Sequence, residues 1–220
     1  MKTLIAIPCM DTTPIEFDQS MIYLSKGENV SVMYKPNSLV YDSRNLISLS
    51  AIDNNFDRVM WFDSDMVFQP DTLKTLHEDM DNLQCDMVTG IYFKRYFPTA
   101  PVIYERIREP ERTPDGFLAK QIEPYYTYPQ KAVFTVDGCG FGCVLTSVKL
   151  LKEVWDHFGP AFTPYPWAGE DISFCHRVNQ LGHTIWCDSN VLCGHIGKYI
   201  YTEKDYLAQK NRGDADEGNR

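Results

Sequence analysis

Two carboxylates directly follow an apolar run in the segment Arg58-Val59-Met60-Trp61-Phe62-Asp63-Ser64-Asp65-Met66. The run predicts a buried strand, and because residues i and i+2 of an extended chain project to the same side, Asp63 and Asp65 should share one face at its end. Ligands bind at the open end of parallel sheets. A divalent cation such as Mn²⁺ or Mg²⁺ would relieve the repulsion between the two carboxylates and bind a diphosphate. A simple turn is the alternative, since Asp-Ser-Asp is also common loop chemistry.

Apolar runs and amphipathic stretches alternate on both sides of this segment. Strands are predicted over 4–8, 30–34 and 86–92, and helices over 14–26 and after Pro70. This alternation predicts an α/β fold with a mainly parallel central sheet flanked by helices, of Rossmann-like type. No Gly-x-Gly-x-x-Gly follows the first strand, so the sequence does not predict a dinucleotide-binding loop.

The character of the chain changes after Phe93. Prolines and tyrosines are frequent over 94–136, which predicts loops and short antiparallel strands. Helices are predicted over 149–158 and 170–181, with a final strand over 183–187. We therefore expect one domain over 1–200, with a Rossmann-like half (1–92) and a second half of different character (93–200), followed by a polar, mobile tail over 201–220.

Composition and charge limit the class of protein. The 220 residues include 44% hydrophobic residues, and 21 Lys and Arg against 30 Asp and Glu give a net charge of −9, which together are typical of a globular protein. The negative charge disfavours non-specific binding to nucleic acid. No apolar run approaches the ~18 residues of a membrane span. Seven scattered cysteines and no apparent secretory signal lead us to expect reduced thiols and a cytoplasmic protein.

Two acidic residues begin the helix predicted after Trp167-Ala168-Gly169. Asp171 should lie in the first turn, where the helix dipole favours its ionised form. A carboxylate fixed at a cleft can accept a proton from an attacking hydroxyl. The alternative is that Glu170 and Asp171 only interact with the dipole.

Glycines surround two further candidate segments. His195, in Cys193-Gly194-His195-Ile196-Gly197-Lys198, could be a neutral imidazole ligand, and Lys198 could bind a phosphate, although an exposed turn is the alternative. The alternating glycines of Asp137-Gly138-Cys139-Gly140-Phe141-Gly142 could let a ligand approach the backbone or could serve a tight bend. No Cys-x-x-Cys pair is present, which disfavours structural zinc.

Taken in this order, these segments resemble the GT-A glycosyltransferases, and in particular small bacterial and phage members of the inverting, family 2-like class. The resemblance covers about residues 3 to 200, and it implies that 1–200 is a single catalytic domain, with 1–92 as its nucleotide-binding half and 93–200 as its acceptor-side half. Asp63-Ser64-Asp65 is similar to the family's Asp-x-Asp motif, and Gly194-His195 is similar to its late metal-binding histidine. Gly140–Leu145 is similar to the glycine-rich strand that lines the sugars, and Gly169–Cys175 is similar to the Glu-Asp motif that supplies the base. Asp42–Leu46 is similar to the Arg-Asn helix start near the nucleotide.

The resemblance implies a role for individual positions. Asp171 would be the catalytic base, and Mn²⁺ or Mg²⁺ would be bound by Asp63, Asp65 and His195. The remaining positions fall into two groups. The nucleotide would be contacted by Pro8, Cys9, Asp11, Arg44, Asp63 and Lys198, and the donor and acceptor sugars by Gly140, Phe141, Trp167 and Glu170.

The expected function is metal-dependent transfer of a sugar from a nucleotide-sugar, most simply a UDP-sugar, to a hydroxyl acceptor with inversion. A nucleotidyltransferase, a nucleotide-sugar hydrolase and a non-catalytic carbohydrate-binding protein are the alternatives. The acceptor class is open, with the net charge of −9 disfavouring nucleic acid. Basic residues in the acceptor-side half fit either an acidic acceptor or a solvated surface; they are Lys94, Arg95, Arg106, Arg108, Arg112, Lys120 and Lys131.

Overall fold

A computed structural model describes residues 1–111, 114–116 and 121–217, with side chains described to residue 210. Arg112 and Lys120 lie outside these residues. In chain order the elements are β1 (Thr3–Pro8), α1 (Ile15–Tyr23), β2 (Val30–Lys35), α2 (Val40–Asp53), β3 (Arg58–Phe62), β4 (Met66–Val67), α3 (Thr72–Leu83), β5 (Met87–Ile91), β6 (Ile103–Ile107), β7 (Ile122–Pro124), β8 (Val133–Val136), β9 (Gly138–Cys139), β10 (Cys143–Ser147), α4 (Val148–Phe158), α5 (Glu170–Gln180), β11 (Ile185–Leu192), β12 (Gly194–Ile196), β13 (Ile200–Tyr201) and α6 (Glu203–Glu217).

The described residues form a central sheet of seven strands in the order β2-β1-β3-β10-β5-β11-β8. β1 pairs in parallel with both β2 and β3, and β11 pairs in parallel with β5. β10 is antiparallel to both of its neighbours, and β8 is antiparallel to β11. The sheet is therefore mixed but mostly parallel, as in a Rossmann-like fold, and it carries the strands that the sequence predicts.

Helices cover both faces of this sheet, because successive side chains of a strand point to opposite faces. In β1, Leu4 and Ala6 pack with α2, α4 and α5, whereas Ile5 and Ile7 pack with α1 and α3. Strands buried on both faces read as continuous apolar runs, which is why β1 and β3 are recognisable in the sequence.

Two small sheets extend the carboxyl edge of the central sheet. The order β13-β12-β4 joins the segment after Asp65 to the segment around His195, and β6 pairs with β7 and β9. In the first of these sheets, His195 is directly opposite Met66. The region 94–136 therefore does contain the short antiparallel strands that its composition predicts.

The sequence predicts a polar, mobile tail from residue 201, and the described part of this segment contains regular elements. β13 ends at Tyr201 and α6 follows over Glu203–Glu217. Tyr206 fixes this helix: it is 4% exposed, stacks on Phe93 with ring centroids 5.2 Å apart, and donates a hydrogen bond from its hydroxyl to the carbonyl of Tyr126. One aromatic ring in a polar stretch thus buries enough apolar area to hold the helix against the core.

Within the described residues, no helix combines the length and the apolar character that crossing a bilayer requires.

Candidate functional site

A cavity of about 310 Å³ opens where β1 and β3 end. Its lining comes from four separate segments: the ends of β1 and β3, and the starts of α2 and α5. The lining residues are Pro8, Cys9, Met10, Ser38, Val40, Ser43, Arg44, Asp63, Ser64, Asp65, Glu170 and Asp171. Residues more than 160 positions apart in the chain therefore share one small, strongly charged cavity.

Arg44 connects two of these segments beneath the cavity. It lies in the second turn of α2 and is only 2% exposed. Its Nη2 donates to Oδ1 of Asp63 at 2.6 Å, and its Nη1 donates to Oε1 of Glu170. Burial opposes the charged form of Arg44, but the charges of Asp63 and Glu170 hold its pKa above its usual value. The two carboxylates make a buried guanidinium tolerable, since a buried charge without partners is strongly destabilising.

Asp63 faces inward toward this arginine. Burial raises the pKa of its carboxyl, and the nearby Arg44 guanidinium opposes that effect. Its backbone N–H lies 3.4 Å from the carbonyl of Gly142, which ties the end of β3 to the start of β10. Oδ1 of Asp63 is therefore engaged by a protein cation.

Asp171 is the titratable group best suited to accept a proton. Burial, reinforced by the charge of Glu170, raises its pKa from 3.8 to about 6, although Arg44 opposes the shift. Its Oδ1 accepts a hydrogen bond from the backbone N–H of Ile172 at 2.7 Å, which fixes the carboxyl at the start of α5. A base whose pKa lies just below neutral is ionised at pH 7 and still accepts a proton readily.

Asp65 and His195 form a second polar group at the rim of the cavity. Nε2 of His195 lies 3.5 Å from Oδ2 of Asp65, and Nδ1 of His195 lies 2.8 Å from the carbonyl oxygen of Phe93. Because a carbonyl only accepts, Nδ1 of His195 carries a proton. Arg95 donates to the same Oδ2 of Asp65. Burial raises the pKa of Asp65, but hydrogen bonding with His195 and the charges of His195 and Arg95 bring it below the usual value.

This pair fits part of the ligand set of a divalent cation. A metal-binding histidine typically donates its other ring N–H to a carbonyl or carboxylate, as His195 does to Phe93. Among the residues the structure describes, no three His, Cys, Asp or Glu side chains are grouped so that they could hold an ion. Mg²⁺ sites in phosphate-transferring enzymes often use one or two protein carboxylates, with substrate phosphates and water as the other ligands. Asp65 and His195 fit that arrangement, whereas Asp63 is directed to Arg44.

The other predicted site residues lie at varying distances from the cavity. Pro8, Cys9, Arg44 and Glu170 line it together with Asp63, Asp65 and Asp171. Asp11 and Lys198 are exposed side chains outside its lining, and Trp167 is half-buried and stacks on Tyr165 with ring centroids 5.4 Å apart. Phe141 is 1% exposed and packs edge-on against Trp61, Phe162 and Phe174, so its side chain is part of the core.

The alternating glycines make room for a tyrosine. A Cβ at Gly140 would lie 2.1 Å from the hydroxyl oxygen of Tyr92, and a Cβ at Gly142 would lie 2.8 Å from its Cζ. The N–H of Gly142 donates to that hydroxyl at 3.2 Å. Burial, followed by the charges of Asp63 and Asp171, raises the pKa of Tyr92 well above its usual value. The glycines thus make room for the neutral phenol of Tyr92 near the carboxylates of Asp63 and Asp171.

Sequence reasoning missed Tyr92, Phe93 and the ion pair of Arg95 with Asp65, which support the site from the segment after β5. Their only signal was position, since they follow a strand that ends at the same sheet edge as β3. The contribution of Ser38 and Val40 to the cavity was missed as well, because the lining begins before the arginine of α2.

No protein-family model and no curated protein matches the sequence. Similarity is found among solved structures, where 310 chains match. One of them is the crystal structure of A197 from STIV, with a TM-score of 0.63 and 19% sequence identity, covering 90% of this chain and 86% of that one. At this level of identity the likeness concerns the fold alone, and this chain is similar in overall fold to A197 from STIV.

Proposed function

We propose that the chain is a metal-dependent glycosyltransferase of the GT-A fold, which transfers a sugar from a nucleotide-sugar, most simply a UDP-sugar, to a hydroxyl acceptor with inversion. The supporting observation is the convergence of Asp63, Asp65, Glu170 and Asp171 on one cavity beside Arg44. These residues come from distant segments, and each belongs to a motif by which the sequence resembles that family.

The nucleotide would occupy the side of the cavity formed by the end of β1 and the start of α2. Pro8 and Cys9 border this side, and Asp11 lies just beyond it. The diphosphate would lie toward Asp65 and His195, with Lys198 as a nearby point charge. Arg44 would position Asp63 and Glu170 and would not contact the nucleotide itself, because its guanidinium is already ion-paired with both carboxylates.

Asp65 and His195 would hold a divalent cation together with the diphosphate. When bound, such a cation stabilises the negative charge that develops on the leaving diphosphate, worth several kcal/mol. His195 is prepared for this by its hydrogen bond to Phe93, which fixes the tautomer and leaves Nε2 free to coordinate. Arg95 must first release Oδ2 of Asp65, and its 52% exposure gives it room to do so.

Asp171 would act as the general base. The acceptor oxygen forms a bond to the anomeric carbon while the bond from that carbon to the diphosphate oxygen breaks and its electron pair leaves with the diphosphate. The hydroxyl proton passes to the Asp171 carboxylate. A single displacement from the face opposite the leaving group inverts the anomeric centre, and a positioned base of this kind typically contributes ~10²–10⁴-fold in rate. Trp167, which precedes the start of α5, would contact a sugar face.

Turnover of nucleotide-sugars tests this proposal. A panel of UDP-sugars is incubated with Mn²⁺, and nucleoside diphosphate release and product mass are both measured. We expect release by the wild type, strong loss in Asp65→Ala, and no loss in Asp81→Ala, whose side chain is 62% exposed on α3. Equal turnover in Asp65→Ala and the wild type would contradict the assignment. Release of free sugar alone would identify a nucleotide-sugar hydrolase, and a product with a new diphosphate bond would identify a nucleotidyltransferase.

A further inference from the structure

Two aromatic rings are held in solvent beside the candidate metal ligands. Phe97 is 57% exposed and Tyr199 is 44% exposed, with ring centroids 6.3 Å apart and an angle of 30° between the ring planes. Tyr199 stacks at 4.2 Å on Tyr201, which is itself only 4% exposed. We call Phe97 and Tyr199 the aromatic platform. Adjacent exposed aromatic rings are unusual on a protein surface and often mark a binding site.

The loop that carries Phe97 is fixed at its base. The N–H of Thr99 donates to Oε1 of Gln209 at 2.7 Å, and Nε2 of Gln209 donates back to the carbonyl of Thr99 at 3.2 Å. The hydroxyl of Thr99 also donates to the carbonyl of Lys94 at 2.7 Å, which closes the loop on itself. The exposure of Phe97 is therefore a property of an anchored loop and not of a dangling segment.

The platform belongs to the same two elements that support the rim of the cavity. His195 pairs with Tyr201 across the hairpin of β12 and β13, so Tyr199 lies at the turn of the hairpin that carries the histidine. The loop of Phe97 also carries Arg95, which is ion-paired with Asp65. The two elements pack closely at Gly197, where a side chain would not fit easily. A Cβ there would lie 3.0 Å from Tyr201 and 3.1 Å from Cβ of Arg95. A ligand lying on the platform would therefore lie against the two elements that carry Arg95 and His195.

Charge around the platform favours an uncharged ligand. Arg95 is already paired with Asp65, and Lys94 lies over the ring of Tyr96 at 5.8 Å. Lys198 is exposed on the hairpin, but a polyanion would still approach a chain with a net charge of −9. A neutral sugar ring is not repelled by this net negative charge. Its C–H face can lie on a flat aromatic surface while its hydroxyl groups remain in water.

We propose that the aromatic platform is the acceptor subsite and that it binds a neutral carbohydrate by stacking a sugar ring on Phe97 and Tyr199. This inference rests on the proposed glycosyl transfer, for which it supplies the acceptor class. The stacked ring would anchor the glycan beside the hairpin that carries His195, and a hydroxyl of the next sugar would be the one presented to Asp171.

Binding of glycans can be measured without catalysis. Saturation-transfer NMR is recorded on the full chain with neutral tetrasaccharides of glucose, mannose and N-acetylglucosamine, each at about 10 mM to detect affinities near 1 mM. The variants Phe97→Ala and Tyr199→Ala remove the platform, Phe97→Trp preserves a flat ring, and Tyr23→Ala removes an aromatic side chain that is 70% exposed on α1. We expect binding of at least one glycan, a loss of about tenfold or more in both alanine variants, and wild-type affinity in Phe97→Trp and Tyr23→Ala.

Three results would overturn the inference: no binding of any tetrasaccharide, equal binding by the wild type and the alanine variants, or salt-dependent binding of a single-stranded oligothymidylate that the alanine variants lose. The last result would identify a nucleic-acid surface, because bases also stack on aromatic rings. Binding of UDP with Mn²⁺, measured by calorimetry, separates this inference from the proposed function. Platform-dependent glycan binding without UDP binding or donor turnover counts against the proposed function, whereas donor turnover with platform-independent glycan binding counts against the platform.

Discussion

Nη2 of Arg44 lies 2.6 Å from Oδ1 of Asp63, so the first carboxylate of Asp-Ser-Asp is neutralised from inside the protein. The same guanidinium also binds Glu170, which precedes the candidate base. This arrangement separates the two aspartates of the motif: Asp63 faces the buried arginine, and Asp65 faces His195 at the rim. Asp63 is thus part of the architecture of the site, whereas Asp65 remains at its rim.

Replacing Arg44 by Met should destabilise the fold strongly. Asp63 and Glu170 would remain partly buried without their cation, and breaking a buried ion pair in this way costs about 3–5 kcal/mol. The free energy of unfolding from urea titration measures the effect. The matched control is Arg106→Met, which removes an ion pair with Glu123 whose partners are about half exposed; such pairs contribute about 0–1 kcal/mol. Similar losses in the two variants would show that the Arg44 bridge is not structurally important.

Asp171→Asn should abolish most donor turnover while making the fold more stable at high pH. Because the pKa of Asp171 is raised to about 6, the folded state binds the proton more tightly than the unfolded state. Stability therefore falls as pH rises from about 4 to about 6, and the penalty persists above that range. Removing the charge should recover about 3 kcal/mol at pH 8 and much less at pH 4, where the folded state is protonated.

Thermal unfolding at both pH values, together with turnover, tests this pair of effects. In the wild type, kcat/KM should rise as pH increases through about 6, because the carboxylate is the active form. Asp156→Asn, at a site 55% exposed on α4, should change neither stability nor turnover. A pH profile that is flat between 5 and 8 would argue against Asp171 as the base.

Asp79 and Asp188 form a second, unrelated acidic pair in which removal of one charge should be stabilising. Oδ2 of Asp79 is buried without a hydrogen-bond partner, and burial together with the nearby Asp188 raises the pKa of Asp79 to about 6. Folding is therefore penalised above that pH, and Asp79→Asn should add about 1 kcal/mol or less, since the side chain is partly exposed and screened by water.

Urea titrations at pH 5 and pH 8 test the acidic pair. The gain from Asp79→Asn should be larger at pH 8, where the wild type carries both charges. Asp81→Asn, on an exposed side chain of the same helix, provides the comparison. A gain that is independent of pH would rule out charge repulsion as its cause.

Variants of His195 and Arg95 should change Mn²⁺ affinity in opposite directions. His195→Gln removes the candidate nitrogen ligand and should weaken binding by about 10–100-fold, the range typical of changes around a metal site. Arg95→Gln removes the cation that occupies Oδ2 of Asp65 and should strengthen binding. Electron paramagnetic resonance of free Mn²⁺, with UDP present, reports both affinities without turnover. Weaker binding in Arg95→Gln would show that Arg95 assists the cation and does not compete with it.

The sequence predicts the strands and most helices because burial on two faces leaves continuous apolar runs, as in β1 and β3. It does not reveal the reversed direction of β10, since an apolar strand reads the same in either direction. The burial of Arg44 was also hidden, because an arginine in a helix ordinarily indicates a solvated face and its partners lie far along the chain. The helix after Tyr201 was missed because one ring, that of Tyr206, provides most of its apolar anchorage.

The reversal of β10 has a consequence for how such a chain can diversify. The end of β5 and the start of β10 lie next to each other at the same edge of the sheet, because the two strands are antiparallel neighbours. Residues 92–142 therefore form an excursion whose two ends are fixed on neighbouring strands. Insertions, deletions and exchanges inside this excursion can leave the register of β1, β2 and β3 intact. Changes that spare β8 and the residues beside the cavity would therefore vary the surface around the site while its carboxylates stay in place.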